Sequence, residues 1–413
     1  MTDLAWIDAA LVSARPQVVA ALLRYFRDLD LAEEAYQDAC LRALKNWPAN
    51  GPPRDPAAWL IMVGRNAAID VTRRRAKQTA LPDEDQLSDL GDAEADIAQR
   101  LDEADYRDDV LRLLFICCHP DLPATQQVAL ALRIVSGLSV KQIARAFLVG
   151  ESAMEQRITR AKAKVAGAGV PFEAPDAVER GERLAAVAAM IYLVFNEGYS
   201  AADPASDRAS LCDEAIRLAR LLLRMYPSEP EVMGLLALML LQHSRIAARF
   251  DAQGNAVLLE DQDRGQWKRP LIQEGLALID KAMRGRRPGP YQIQAAIAGL
   301  HARAARADET DWAQIDGLYQ ALERHAPSPV VTLNRSVALA KLNGPEAALD
   351  LIAPLAARLD GYFYFHGVRG SFLKQLGRAG EAREAFNRAI ALANTPAEAA
   401  HIRQHLDSLS EQR

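Results

Sequence analysis

The residues best equipped to recognise a ligand lie between Gly137 and Val165, in GLSVKQIARAFLVGESAMEQRITRAKAKV. Ile143, Ala144 and Phe147 precede a break at Leu148, Val149 and Gly150, and Met154 and Ile158 carry the apolar side onward. That spacing predicts two short helices joined by a turn. Ser139 can cap the first helix, and Glu151 or Ser152 the second. The second helix then exposes Glu155, Gln156, Arg157 and Arg160, with Lys162 and Lys164 behind. The N-terminal part of such a helix can enter a major groove, which places Ala153, Glu155 and Gln156 for base edges. Lys141, Arg157, Arg160 and Lys164 can then reach phosphates. A helical hairpin with a solvated basic face satisfies the same pattern.

Two further segments carry usable chemistry. WLIMVGRNAAIDVTRRR, Trp59 to Arg75, is an amphipathic helix ending in three arginines and followed by Lys77. The NGPPRDP stretch from Asn50 to Pro56 holds three prolines and a glycine, so it must interrupt the helices beside that basic segment. A loop there could hold an unstacked base while arginines follow an opened strand, or the arginines could simply be solvated. DLAEEAYQDACLRALKNW, Asp30 to Trp47, forms an acidic helix with Glu33, Glu34, Gln37 and Asp38 near one another on its polar side.

The elements that must position these residues are helices. Half of the 413 residues are hydrophobic, Ala, Leu and Arg recur throughout, and strand-length runs of Val, Ile and Thr are scarce, so an all-α chain of two or three domains is expected. Net charge is -5, so any basic surface must be local. Cys40, Cys117, Cys118 and Cys212 form no C-x-x-C pair. Neither a disulfide framework nor a zinc site is expected, and the Cys117-Cys118-His119 run reads as buried core thiols. With no basic-then-apolar leader and no run near twenty uninterrupted apolar residues, the expected location is the cytosol. Seven scattered histidines and no Gly-rich phosphate loop leave no catalytic residue, cofactor or metal site to assign.

Pro82 to Asp109 carries twelve Asp or Glu against Arg100 and Arg107, which predicts an acidic linker. Gly167, Gly169, Pro171 and Pro175 mark a later boundary. Beyond it, Ala348, Ile352 and Leu355 recur 34 residues on as Ala382, Phe386 and Ala389. That period belongs to tetratricopeptide-like stacks of helix pairs. Glu214 to Pro227 and Gln314 to Pro327 read as further second helices, among five or six pairs interrupted near Ser244 to Pro270. In that interruption the DQDRGQW segment, Asp261 to Trp267, is either a polar binding site or a loop held by its own Asp-Arg pairs. Glu197 and Tyr199 leave the same two choices, whereas Tyr362, Phe363, Tyr364 and Phe365 read as repeat core.

In this order the segments resemble the sigma-70 superfamily, in particular the extracytoplasmic-function (ECF) sigma factors. Trp59, Leu60, Arg65, Asn66, Ile69, Asp70 and Arg73 to Arg75 meet one family pattern. Leu122, Pro123, Leu130, Leu132, Arg133, Gly137, Leu138 and Ser139 meet another. The resemblance spans roughly residues 15 to 166 and implies two small helical domains, the second a helix-turn-helix: region 2 over residues 10–80 and region 4 over 109–167. Between them lies the acidic linker, 81–108, which would thread toward the polymerase cleft. A tetratricopeptide-like helical extension follows over 178–413.

Carried over, the resemblance implies that Glu34, Gln37 and Asp38 face core RNA polymerase, whose β′ clamp and β subunits are the expected partners. Asn66, Arg73, Arg74 and Arg75 would capture and melt the -10 element of promoter DNA, with residues 50–56 as the pocket for a flipped base. Glu155, Gln156 and Arg157, with Lys141, Arg160 and Lys164, would serve the -35 element. Leu148, where the family usually has Gly, and Glu155, where a basic residue is frequent, depart from the pattern, so promoter preference is expected to differ. FNEGY, Phe195 to Tyr199, and DQDRGQW resemble a group whose extension takes part in regulation and whose genes often neighbour small DGPF-motif (YCII-related) proteins. The competing reading is a helical-repeat adaptor with a DNA-binding module that does not act with polymerase.

Overall fold

The computed structural model describes residues 5–51, 53–76, 103–119, 121–147, 149–167, 177–200, 210–251, 256–285, 288–393 and 396–410. Two compact units divide the chain, Met1–Val194 and Phe195–Arg413. Among the described residues the secondary structure is helical apart from an isolated bridge between Phe250 and Ala256. This is the all-α architecture that composition and periodicity predict.

In the first unit α1 (Ala5–Phe26), α2 (Leu29–Asn50) and α3 (Pro56–Ala76) pack on one another. They are longer than the short helices expected from the apolar spacing, and Pro16 and Pro48 lie inside α1 and α2. The side chain of Asp28 accepts a hydrogen bond from the Leu31 amide (3.0 Å) and starts α2. Gly51, at φ 78°, ends it and donates its N–H to the Trp47 carbonyl. Asp55 then accepts from the amides of Ala57 and Ala58 and starts α3, so the proline-rich break shrinks to residues 51–55. Trp47, 2% exposed, lies between the rings of Trp6 and Trp59 at 6.0 and 5.4 Å. By length and mean hydropathy the stretch Trp6–Phe26 could cross a membrane, yet Asp8, Arg15 and Arg24 interrupt it, so it is no uninterrupted apolar run, and most of it is buried in this helical core.

The same unit contains α4 (Glu103–Cys117), α5 (Ala124–Ile134), α6 (Val140–Ala146), α7 (Glu151–Gly167) and the part of α8 (Ala177–Tyr199) up to Val194. The last residues of the acidic segment are the first turns of α4. There Asp109, buried, pairs with Arg24 of α1 at 3.4 Å and Arg112 at 3.3 Å. The remainder of the expected linker, residues 81–102, lies outside the described residues. Cys117 and Cys118 are buried near the end of α4, and burial pushes the Cys118 thiol up to about 12, as befits core thiols.

The second unit runs through α9 (Ser210–Met225), α10 (Pro230–Ser244), α11 (Arg269–Ala282), α12 (Pro290–Arg303), α13 (Trp312–His325), α14 (Pro329–Asn343), α15 (Pro345–Ile352), α16 (Ala356–Leu359), α17 (Phe363–Gln375), α18 (Ala379–Leu392) and α19 (Pro396–Ser410). Helix α10 is apolar on nearly every side and is covered by α9, α11 and α12. The 34-residue repeat falls on α15 and α18, where Ala348, Ile352, Ala382, Phe386 and Ala389 are all buried. Leu355 breaks the match: Pro354 converts residues 353–355 to a 3-10 turn, leaving it half-buried. Ser336 and Gly370, also 34 apart, supply small residues to the preceding helices. A Cβ on Gly370 would meet the Phe386 ring at 2.6 Å.

Residues 246–266 interrupt the stack as expected, but not through Asp-Arg pairs. Asp263 accepts from the Gly265 amide at 2.8 Å, and Arg264 donates to the carbonyls of His301 and Ala304 at the end of α12. The Arg264 guanidinium also lies 4.8 Å from the centroid of buried Trp267. In FNEGY, Phe195 stacks on Tyr199, whose ring in turn carries the Arg249 guanidinium at 3.7 Å. These contacts make both motifs structural. Phe363 and Phe365 are buried as expected of repeat core, whereas Tyr364 is 52% exposed.

Burial, then the charges of Arg245 and Arg264, lower the His301 pKa to about 4 from its ordinary 6.5. The unfolded chain therefore takes up a proton between these values that the folded chain refuses. The stability is complete above pH 6.5 and falls toward pH 4, by about 3 kcal/mol at most. Denaturant unfolding of the extension at pH 7 and pH 5 should show the loss, and His301→Phe should flatten it. An equal pH slope in both proteins would exclude His301 as its source.

Candidate nucleic-acid interface

The helix-turn-helix forms as the apolar spacing predicts. Ser139 and Gln142 make a reciprocal capping box: the Gln142 amide donates to the Ser139 hydroxyl at 3.2 Å, and the Ser139 amide donates to Gln142 Oε1 at 2.9 Å. Ile143 and Ala144 of α6 and Met154, Ile158, Ala161 and Val165 of α7 are buried, and the two helices pack together against α5. At the start of α7 the Gly150 carbonyl accepts from the Met154 amide at 3.1 Å. Glu151 is thus inside the first turn, where its charge favours the helix dipole, and is not the cap. Leu148, the departure in the turn, lies outside the described residues.

The buried stripe of α7 fixes which side chains remain outside. Glu155, Gln156 and Arg160 are exposed and Arg157 half-exposed, with Lys141 exposed on α6. Lys164 is exposed too, with its ammonium donating to the Asp121 carbonyl. Lys162, expected behind this face, points elsewhere: its ammonium lies 2.6 Å from both Asp30 and Glu33 of α2.

On α3, Asn66 is exposed beside Arg65, whose guanidinium covers the half-exposed ring of Tyr25 at 5.0 Å. An exposed aromatic ring next to a cation and an amide is a surface on which an unpaired base can stack. Tyr25 stands in an Arg24-Tyr25-Phe26-Arg27 run, a signal that the apolar spacing of α1 masks. Arg73, Arg74 and Arg75 belong to the last turns of α3, and their side chains lie outside the described residues.

Helix α2 separates its acids into two sets. Glu34, Gln37 and Asp38 are exposed along one face, as expected. Glu33 is not with them: it is 4% exposed, among buried Ala32, Ala35, Tyr36 and Ala39. It accepts from Arg15 at 3.1 Å and lies 3.7 Å from Arg133 and 2.6 Å from Lys162. Arg15 donates further to the carbonyls of Ile134 and Arg133, at 3.0 and 3.2 Å, and lies 4.9 Å from the centre of the Tyr36 ring. Gly137, at φ 75°, makes room for that arginine, because a Cβ there would meet its Cδ at 2.7 Å. The sequence did hold a signal for Glu33: it precedes Tyr36 by three residues, on the flank of the apolar stripe.

Comparison with known proteins gives three family matches in chain order. Residues 11–78 match Sigma-70 region 2, residues 112–165 match Sigma-70, region 4, and residues 183–283 match a family of unknown function, DUF6596. A protein of Rhizobium meliloti (strain 1021), described as uncharacterized protein R00370, is 72% identical over 411 residues, covering 99% of this chain and 97% of its own. Sigma-70 family members are transcription initiation factors and not enzymes. With both regions present in order, each folded into the helices its motifs require, the chain belongs to the sigma-70 family as an ECF-type sigma factor with a helical C-terminal extension.

Proposed function

We propose that this sigma factor binds core RNA polymerase through Glu34, Gln37 and Asp38 and directs promoter-specific initiation in the cytoplasm. Glu155, Gln156 and Arg157 read the -35 element, with Lys141, Arg160 and Lys164 on phosphates, while Asn66 and Arg73 to Arg75 hold the opened -10 strand. What carries the reading is the ordered pair of sigma-70 regions, joined to exposure of the acidic face of α2 and of the polar face of α7. Melting needs no catalytic group, because binding energy for the unpaired strand offsets an unstacking cost of a few kcal/mol per base. In this reading region 2 spans 10–80, the acidic linker 81–108, region 4 109–167 and the extension 178–413, with a small DGPF-motif protein as a regulatory partner of that extension.

Replacing Gln37 and Asp38 together by Ala should weaken binding to core polymerase by about 2 kcal/mol, roughly thirtyfold in Kd, with helical content unchanged. Undiminished co-purification with polymerase would favour an adaptor instead. On promoter DNA, Gln156→Ala should relax preference at one -35 position. Arg157→Ala should weaken all sequences alike and flatten the salt dependence, as quantitative binding to a mutated promoter set would reveal. The extension sets activity in this reading, so a chain ending at Pro175 should initiate at a different level from the full chain in cells; equal output under every growth condition would refute that role.

A further inference from the structure

On α17 the residues Tyr364, Gly367, Val368 and Ser371 recur at steps of three and four, which puts them on one side of the helix. On α19 Glu398, His401, Ile402 and His405 do the same, each 34 residues after its counterpart on α17. They are one face in two successive repeats, carried by the first helix of each pair, while α15 and α18 supply the buried core. Helix α14 adds Val337, one period before Ser371, and the three faces line a cavity of about 400 Å³. Stacked helix pairs ordinarily leave this side as an extended concave surface. Here the segment that interrupts the stack bounds it: Leu258 lines the cavity, and Glu260 pairs with Lys341 of α14 at 2.6 Å. The enclosed space has the size of a small-molecule site, for which roughly 300 to 1,000 Å³ is usual.

The lining is mainly apolar, with Phe363, Phe372 and Ile402 buried in its walls. Leu258 and Tyr364, both exposed, face the same cavity from different elements, and a ligand there would cover them. Gly367 keeps the space open. It sits within α17 outside the left-handed region, where glycine costs about 1 kcal/mol relative to alanine. A Cβ on it would meet Ile402 Cδ1 at 3.4 Å, an ordinary contact. Neither backbone nor close packing therefore asks for glycine at this position.

The polar groups are few. Glu398 accepts a hydrogen bond from the Tyr364 hydroxyl at 3.3 Å, which sets a carboxylate beside an aromatic ring. The rings of His401 and His405 meet edge to face at 4.9 Å, and burial above all lowers both pKa values, so at neutral pH they carry no charge. Among the described residues that line the cavity, the charged groups are thus two carboxylates, Glu260 and Glu398, and one ammonium, Lys341. Arg249, whose charge also reaches Tyr364, is held over the Tyr199 ring and donates to the Tyr199 carbonyl.

We propose that this cavity binds a small organic amine, its flat apolar body against Leu258 and the Tyr364 ring and its ammonium at the Glu398 carboxylate. An ammonium gains from an aromatic face and from a charge-assisted hydrogen bond together, whereas an anion would meet two acids and two uncharged imidazoles. Glu398 can serve a ligand without giving up Tyr364, since a carboxylate offers about four acceptor positions. The site belongs to the extension alone and stands apart from promoter reading by the first unit. It gives a regulatory domain a chemical signal to respond to.

Calorimetric titration of the full chain with phenethylamine, phenethyl alcohol and phenylacetate separates these features, because the three share a ring and differ in the charge at its end. The amine should bind saturably and about tenfold or more tightly than the alcohol, with phenylacetate weakest. Glu398→Gln should bring the amine to the level of the alcohol, and Tyr364→Ala should weaken all three probes. Gly367→Phe, which places a ring in the cavity, should abolish binding with helical content unchanged; Ser371→Trp fills the same space should Gly367→Phe fold poorly. Equal affinity for the three probes, undiminished amine binding by Glu398→Gln, or failure of the amine to saturate the parent would overturn the site. None of these titrations contains polymerase or DNA, so the sigma reading stands or falls separately.

Discussion

A carboxylate withdrawn from water must be neutralised by its neighbours, and Glu33 imposes that requirement on most of the first unit. Its partners define where α1, α5 and α7 can lie relative to α2. They also account for details that look unrelated in sequence: a glycine at Gly137, which clears space for Arg15; a lysine on α7 that turns away from the nucleic-acid face; an aromatic at Tyr36 beneath the arginine. Replacement by an apolar residue would remove the need for all of them. The acid therefore contributes specificity of arrangement more than net stability.

The second unit is organised by a different constraint, the burial of one helix. α10 has no polar face to turn outward, so α9, α11 and α12 must surround it. Regular stacking resumes only at α14 and α15, where the 34-residue period appears. The irregular segment between α10 and α11 is secured by Arg264, which satisfies carbonyls that α12 leaves unpaired at its end. The conspicuous FNEGY and DQDRGQW residues work as packing and capping groups, and the extension's recognisable signature is therefore a signature of its fold.

Much of this was legible in the residues. Apolar periodicity placed α6 and α7, the Ser139 cap was correct, and the repeat was found from Ala348 and Ala382. Misreadings arose where one residue's role depends on a distant partner. Glu33 and Glu34 are adjacent acids in one sequence, and only the approach of Arg133 and Lys162 tells the buried one from the exposed one. Similarly, Asp109 reads as the last acid of a linker until Arg24 is seen beside it. Pro16 and Pro48 stay inside α1 and α2, because tertiary packing of long Ala- and Leu-rich helices overrides the local penalty.

The depth at which Lys162 is held has a further consequence for how the protein senses its medium. Charges on the open surface of α7 act through a solvent whose ions screen them within about 8 Å at physiological ionic strength. The Glu33 cluster excludes most of that solvent, so mobile ions barely attenuate it. Rising salt therefore weakens whatever the exposed charges of α7 attract while sparing the internal pairs.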